Sequence, residues 1–251
     1  MGNVLSNLPP VVKNLLIINV VMYLLSMLGE TQGIPMTRLL GGYVFNSPFF
    51  EPYQMVTHFF MHSTQSFFHI FFNMFALVVF GSVLERVWGA KRFFIFYIVT
   101  GLGAFFIHQI VGYIDVNNLK ETLVSMGYDM YDLNLKIKNS DFDSIYILQP
   151  EAKTVLREYI SGVSIPVVGA SGAVYGLLAG FAYLFPNTEL MLIFPPIPVK
   201  AKWLVLFLVG IAFFNAFSDS TSNIAHLAHL GGAIVGFILV LIWQKNSSNF
   251  Y

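Results

Sequence analysis

Residues 163–185 read VSIPVVGASGAVYGLLAGFAYLF, an apolar run without a single Asp, Glu, Lys or Arg. At 1.5 Å per residue such a run is long enough to cross about 30 Å of hydrocarbon as a helix. Its glycines Gly172, Gly176 and Gly180 recur every fourth position, the spacing that lets another membrane helix approach closely. Working outward, five more apolar stretches appear at 12–28, 67–87, 93–111, 203–217 and 223–243. Over the whole chain 56% of residues are hydrophobic and only 10% charged, against about 25% charged in ordinary soluble domains. The expected fold is therefore an all-α membrane bundle of six transmembrane helices. The fifth stretch is short for a crossing, and the apolar, Pro-rich residues 192–199 before it are expected to dip into the interface.

Between the fourth and third stretches the character changes. Residues 112–162 hold Asp115, Glu121, Asp129, Asp132, Asp141, Asp143, Glu151 and Glu158 among Lys120, Lys136, Lys138, Lys153 and Arg157. This reads as a soluble insertion between helices three and four of a single domain spanning 1–251. Within it, 151–160 has helical spacing, whereas 128–146 alternates irregularly. Residues 29–66, rich in Pro and aromatics, read as a partly embedded loop.

With both termini cytoplasmic, the inner side collects Lys13, Arg86, Lys91, Arg92, Lys200, Lys202 and Lys245, while the outer loops keep only Arg38 apart from the insertion. The positive-inside rule favours that orientation, and long translocated segments such as the insertion follow it weakly. Lys13 is the only early positive charge and no small-residue cleavage site follows, so the first stretch is expected to be retained. Net charge is zero with no basic run, which argues against a nucleic-acid partner. The absence of Cys excludes disulfides, Cys-ligated metals and thiol nucleophiles.

Polar groups inside spans are costly and mark function by default. Helix two begins with His69 and Asn73 one turn apart, preceded by His58 and His62; helix four carries Ser171; helix six carries His226 and His229. Helices two, four and six run inward from the same side, and counting residues places Asn73, Ser171 and His229 about 8–12 Å below it. Gly172/Gly176/Gly180 and Gly232/Gly236 give helices four and six facing small-residue seams headed by Ser171 and His229. A serine hydroxyl needs a base at about 2.6–3.2 Å to become a nucleophile, and neutral His is the usual one. No acid lies at that depth, which points to a Ser–His dyad rather than a triad. His69, Asn73 and the Ser171 amide are the available donors to a tetrahedral oxyanion. Tyr175, one turn below Ser171, is either packing or a support that orients the imidazole.

The chain resembles the rhomboid intramembrane proteases in Gly169-Ala170-Ser171-Gly172, in His229-Leu230-Gly231-Gly232 with Gly236, in His69-Ile70-Phe71-Phe72-Asn73, and in Gly81, Glu85 and Gly89. The resemblance covers nearly the whole chain outside the insertion. It implies a six-helix rhomboid-like bundle in which Ser171 is nucleophile, His229 general base, and His69 with Asn73 oxyanion donors. It further implies hydrolysis of peptide bonds in or near the transmembrane segments of membrane-protein substrates within the lipid bilayer, without cofactor or metal. Helix five and residues 218–222 would be gate and cap, and His58 and His62 structural or water-retaining. A bacterial inner or plasma membrane is the expected location, on the compact six-helix core. The chain departs from the family in carrying Tyr53-Gln54 where a Trp-Arg pair is usual.

Other readings fit less well. His58 and His62 are spaced i, i+4, but the metalloprotease helix signature needs Glu after its first His and Phe59 stands there. An aspartyl intramembrane protease needs two buried aspartates, and no span has one. Inactive relatives that escort membrane helices lack the Ser or the His. A transporter would be supported by inverted repeats, and none is visible. For His226 and His108 a helix–helix hydrogen bond is the expected role.

Overall fold

The structure, a computed structural model, describes residues 4–146, 150–192, 196–216 and 223–245. Among the described residues, four helices are long and apolar enough to cross a membrane: α1 (Pro10–Thr31), α2 (Phe67–Trp88), α3 (Ala90–Ser125) and the helix that ends the described chain. Two shorter apolar helices, Ser171–Leu184 and Ala201–Ala216, complete the bundle. Short helical segments at Met36–Leu40 and Gln54–Thr57 lie between α1 and α2, and after α3 come, in chain order, α4 (Met130–Lys138), α5 (Phe142–Tyr146), α6 (Lys153–Ser164), α7 (Ser171–Leu184), β1 (Glu189–Met191), β2 (Pro198–Lys200), α8 (Ala201–Ala216) and α9 (Asn223–Lys245). The strands pair antiparallel, with Leu190 opposite Val199. Phenylalanines on α2 and α8 stay exposed, among them Phe68, Phe72, Phe207 and Phe214, as lipid-facing side chains should.

Two of the expected boundaries move. The run from Val163 does not begin a helix: Ile165 to Ala170 are not helical, Gly169 adopts φ 116°, and the helix starts at Ser171. Pro166 and the glycine conformation account for that stop. The third helix passes through Gly112 to Ser125 without a break, because Val116 and Leu123 continue a buried stripe while Asp115, Lys120 and Glu121 lie on the exposed face. The charged residues therefore begin inside a helix. Beyond it, the irregular residues 128–146 form α4 and α5.

There are two cores. The larger joins α1, α2, α3, α7, α8 and α9 through residues such as Leu15, Leu77, Phe93, Phe96, Leu177 and Val240. The smaller gathers Val116 and Leu123 of α3, Leu133 and Ile137 of α4, Ile145 of α5 and Leu156, Tyr159 and Val163 of α6, together with Val44 and Phe49 of the loop after α1.

α7, α9 and α3 pack through glycine. A Cβ on Gly232 would overlap the carbonyl oxygen of Gly172, and one on Gly236 would stand 2.7 Å from the Gly176 Cα. On its other side α7 meets α3, where a Cβ on Gly172 or Gly176 would stand 2.5 or 2.6 Å from Ala104 or Thr100. With lipid no more polar than leucine, membrane helices associate by close van der Waals fit, which these glycines permit. Glu85, buried in α2, accepts from the Val11 and Val12 amides at 2.9 and 2.8 Å, satisfying two orphan donors at the α1 N-terminus.

Candidate active site

The α7–α9 seam brings the two groups at its head together: His229 Nε2 lies 2.9 Å from Ser171 Oγ. The Tyr175 ring stacks on the imidazole with centroids 4.5 Å apart and planes 5° from parallel. His229 Nδ1 is buried without a hydrogen-bond partner among the described residues, so the imidazole is held by a ring face rather than by a carboxylate. His226 meets His229 edge to face, with centroids 5.8 Å apart.

Ser171 is the first residue of α7, so its amide is one of the helix donors without an intrahelical partner. Its approach is fixed by backbone pairing. Val167 and Gly42 exchange both hydrogen bonds, at 2.8 and 2.9 Å, and the Gly169 amide donates to the His58 carbonyl at 3.0 Å. Gly169 lies so close to His69 that a Cβ would stand 3.0 Å from Nε2. His69 Nδ1 accepts from the Ser63 amide at 3.3 Å, which leaves the ring proton on Nε2, the nitrogen nearest the Ser171 approach. Asn73 spends one amide hydrogen on the His69 carbonyl at 2.7 Å and retains another.

His58 and His62 do not converge. His58 bonds through Nδ1 to the Gln54 carbonyl at 2.7 Å and stacks on Phe105; His62 is fully buried with its ring 5.2 Å from that of His69. Burial holds the first down to about 4 and the second to about 3, so both are neutral at physiological pH. A cavity of about 20 Å³ beside Ser171, lined by His58, Phe105, Val167, Gly169 and Gly172 among others, is the size of one water.

The Tyr53-Gln54 departure is resolved by geometry. Gln54 is buried and ties three backbone groups: its amide donates to the carbonyls of Leu39 and Phe49, and its oxygen accepts from the Glu51 amide. Gln109 was not among the residues singled out from the sequence. Its amide donates to the Tyr43 carbonyl at 2.7 Å and its oxygen accepts from the Phe45 amide at 2.8 Å, so α3 holds the loop that pairs with Val167. The available signal was an uncharged polar residue within a span. The expected cap, 218–222, lies outside the described residues.

Residues 50–246 match the family model of the Rhomboid domain. The chain is 29% identical over 178 residues to Rhomboid protein 1, mitochondrial, of Saccharomyces cerevisiae, covering 70% of this chain and 38% of that protein. It is 26% identical over 185 residues to Rhomboid protease AarA of Providencia stuartii, covering 70% of this chain and 50% of that one. The chain thus spans half or less of the length of these relatives.

Proposed function

Since the chain belongs to the Rhomboid family, we propose that it is an intramembrane serine endopeptidase cutting peptide bonds in or near the transmembrane segments of membrane-protein substrates. The observation that carries this reading is the 2.9 Å approach of His229 Nε2 to Ser171 Oγ at the head of a glycine seam. In it, Ser171 Oγ attacks the scissile carbonyl carbon while His229 Nε2 takes the hydroxyl proton. His69 Nε2–H, the free amide hydrogen of Asn73 and the Ser171 N–H receive the oxyanion, and losing one such donor typically costs about 10²–10³ in rate. The intermediate collapses as His229 returns the proton to the leaving amine. Water, drawn from a store the size of the cavity beside Ser171, then gives a proton to His229 and attacks the acyl ester, and the acid product leaves as Oγ regains its proton. Tyr175 fixes the plane of the base. No cofactor or metal enters these steps.

In the same reading α7 and α8 also cross the bilayer, giving six spans, and residues 112–162 form an insertion on the outer side between the third and fourth. Both termini face the cytoplasm, on the Lys and Arg distribution. Location in a bacterial plasma membrane rests on the compact core alone.

The test is cleavage of a transmembrane model substrate in liposomes by the native protein and by Ser171→Ala and His229→Ala. Native cleavage and native labelling by a serine-directed phosphonate, both lost in two folded variants, support the dyad. A folded native protein that neither cuts nor labels would move the reading to a helix-binding relative without catalysis.

A further inference from the structure

A buried hydroxyl, beside the Asn46 amide that donates to the Tyr113 carbonyl at 3.2 Å, ties the charged insertion to the loop that leads toward Ser171. Ser47 Oγ donates to the Val163 carbonyl at 2.6 Å and accepts from the Phe49 amide at 3.1 Å, while the Ser47 amide donates to the Val44 carbonyl at 2.8 Å. Val163 lies in the last turn of α6, where a carbonyl has no intrahelical partner, so Ser47 satisfies a group that the insertion would otherwise leave orphaned. Val44 and Phe49 on either side of Ser47 are themselves members of the insertion's core.

From Val163 the chain reaches Ser171 through a non-helical stretch held at two points, Val167 against Gly42 and Gly169 against His58. Gly42 is separated from Ser47 only by residues 43–46, of which Tyr43 and Phe45 are the groups that Gln109 holds. Because Ser171 opens its helix, the direction of its Oγ and N–H is set by this incoming segment as well as by α7. Reacting groups displaced by about 1 Å can lose as much as 10²-fold in rate.

We propose that Ser47 is a positioning residue, locking the loop after α1 to the end of α6 so that the folded state of the insertion sets the geometry of Ser171. The catalytic part rests on the protease reading above; the coupling itself does not. In Ser47→Ala, kcat on a transmembrane substrate and the rate of phosphonate labelling fall together by roughly 3–10-fold, the worth of one neutral hydrogen bond, with KM unchanged. Ser47→Thr, which keeps the hydroxyl, restores both. Leu156→Ala, loosening the insertion core from the far side, reproduces the same split. Hydrogen exchange at the Gly42 and Val167 amides accelerates in both Ala variants and provides a readout independent of activity. Unchanged kcat, a change confined to KM, or failure of Thr to restore the rate would overturn the proposal. If the native protein neither cuts nor labels, the protease reading falls; exchange then decides, and unchanged Gly42 and Val167 protection in Ser47→Ala overturns the coupling too.

Discussion

The α7–α9 seam and the smaller core built on α4, α5 and α6 solve the same problem of holding helices together by opposite means. In the seam, side chains are removed: Gly172, Gly176, Gly232 and Gly236 bring main chain onto main chain. In the smaller core they are supplied: Leu123, Leu133, Ile137, Ile145, Leu156 and Tyr159 fill it from four helices. The difference teaches what surrounds each region. Where lipid replaces water, burying leucine brings no hydrophobic gain and close approach decides. A region whose carboxylates and ammonium groups lie on its outside gains about 25 cal/mol per Å² of apolar surface it hides.

Substitutions that exchange the two solutions should break them unequally. Gly232→Val sets a branched side chain against the Gly172 carbonyl, a main-chain atom that cannot rotate away. It should cost about 3 kcal/mol or more and abolish both proteolysis and phosphonate labelling, read with the melting temperature in detergent. Leu156→Ala leaves a hole that neighbours can partly close, at about 2–5 kcal/mol, and should loosen the smaller core while α7 and α9 keep their exchange protection. Equal loss of protection in both regions would show that they unfold as one unit.

A smaller effect separates polar fastening from packing. Glu85→Gln keeps shape but removes the charge that receives the Val11 and Val12 amides, and should cost about 1.5–3 kcal/mol, with fraying confined to the start of α1. Limited proteolysis near Val11 would report it.

A last effect is one of pH. His58, whose carbonyl receives the Gly169 amide, is neutral when folded, held down to about 4 by burial, and returns to its ordinary 6.5 when unfolded. Between those values the unfolded chain binds more protons, so this contribution is present above about 6.5 and is lost as pH falls toward 4. Melting temperature should decline over that window in the native protein and less steeply in His58→Gln, measured in one detergent at fixed ionic strength.

Much of the site was legible because its signals are local or periodic. The four-residue glycine spacings foretold which helices meet, and the structure sets Nε2 and Oγ 2.9 Å apart at the head of that seam; the count that set the depth of Ser171 took the helix to begin near Val163, whereas residues 165–170 are not helical. His69 was legible as a polar residue in a span, but its tautomer follows only from the Ser63 amide that reaches Nδ1. Tyr175 was undecided between packing and support, and stacking at 5° shows the contact that one turn of helix allows but does not require. Ser47 was silent and Gln109 showed only as an uncharged polar residue in a span, since their partners lie 116 and 64 to 66 residues away and are backbone atoms, which leave no mark in the sequence.

The sequence by itself determined the medium, the spans strong enough in apolar length, the seam and the polar residues expensive enough in lipid to need a purpose. Those follow from composition and from the helical repeat, which depend on near neighbours alone. Only the tertiary structure decided that the fourth apolar run starts its helix at Ser171, that α3 continues to Ser125 and that the charged segment has its own core resting on the loop after α1. Each of these turns on where distant backbone groups find partners. A chain commits such groups when its elements pack, because a buried amide or carbonyl left alone costs more than a local preference can repay.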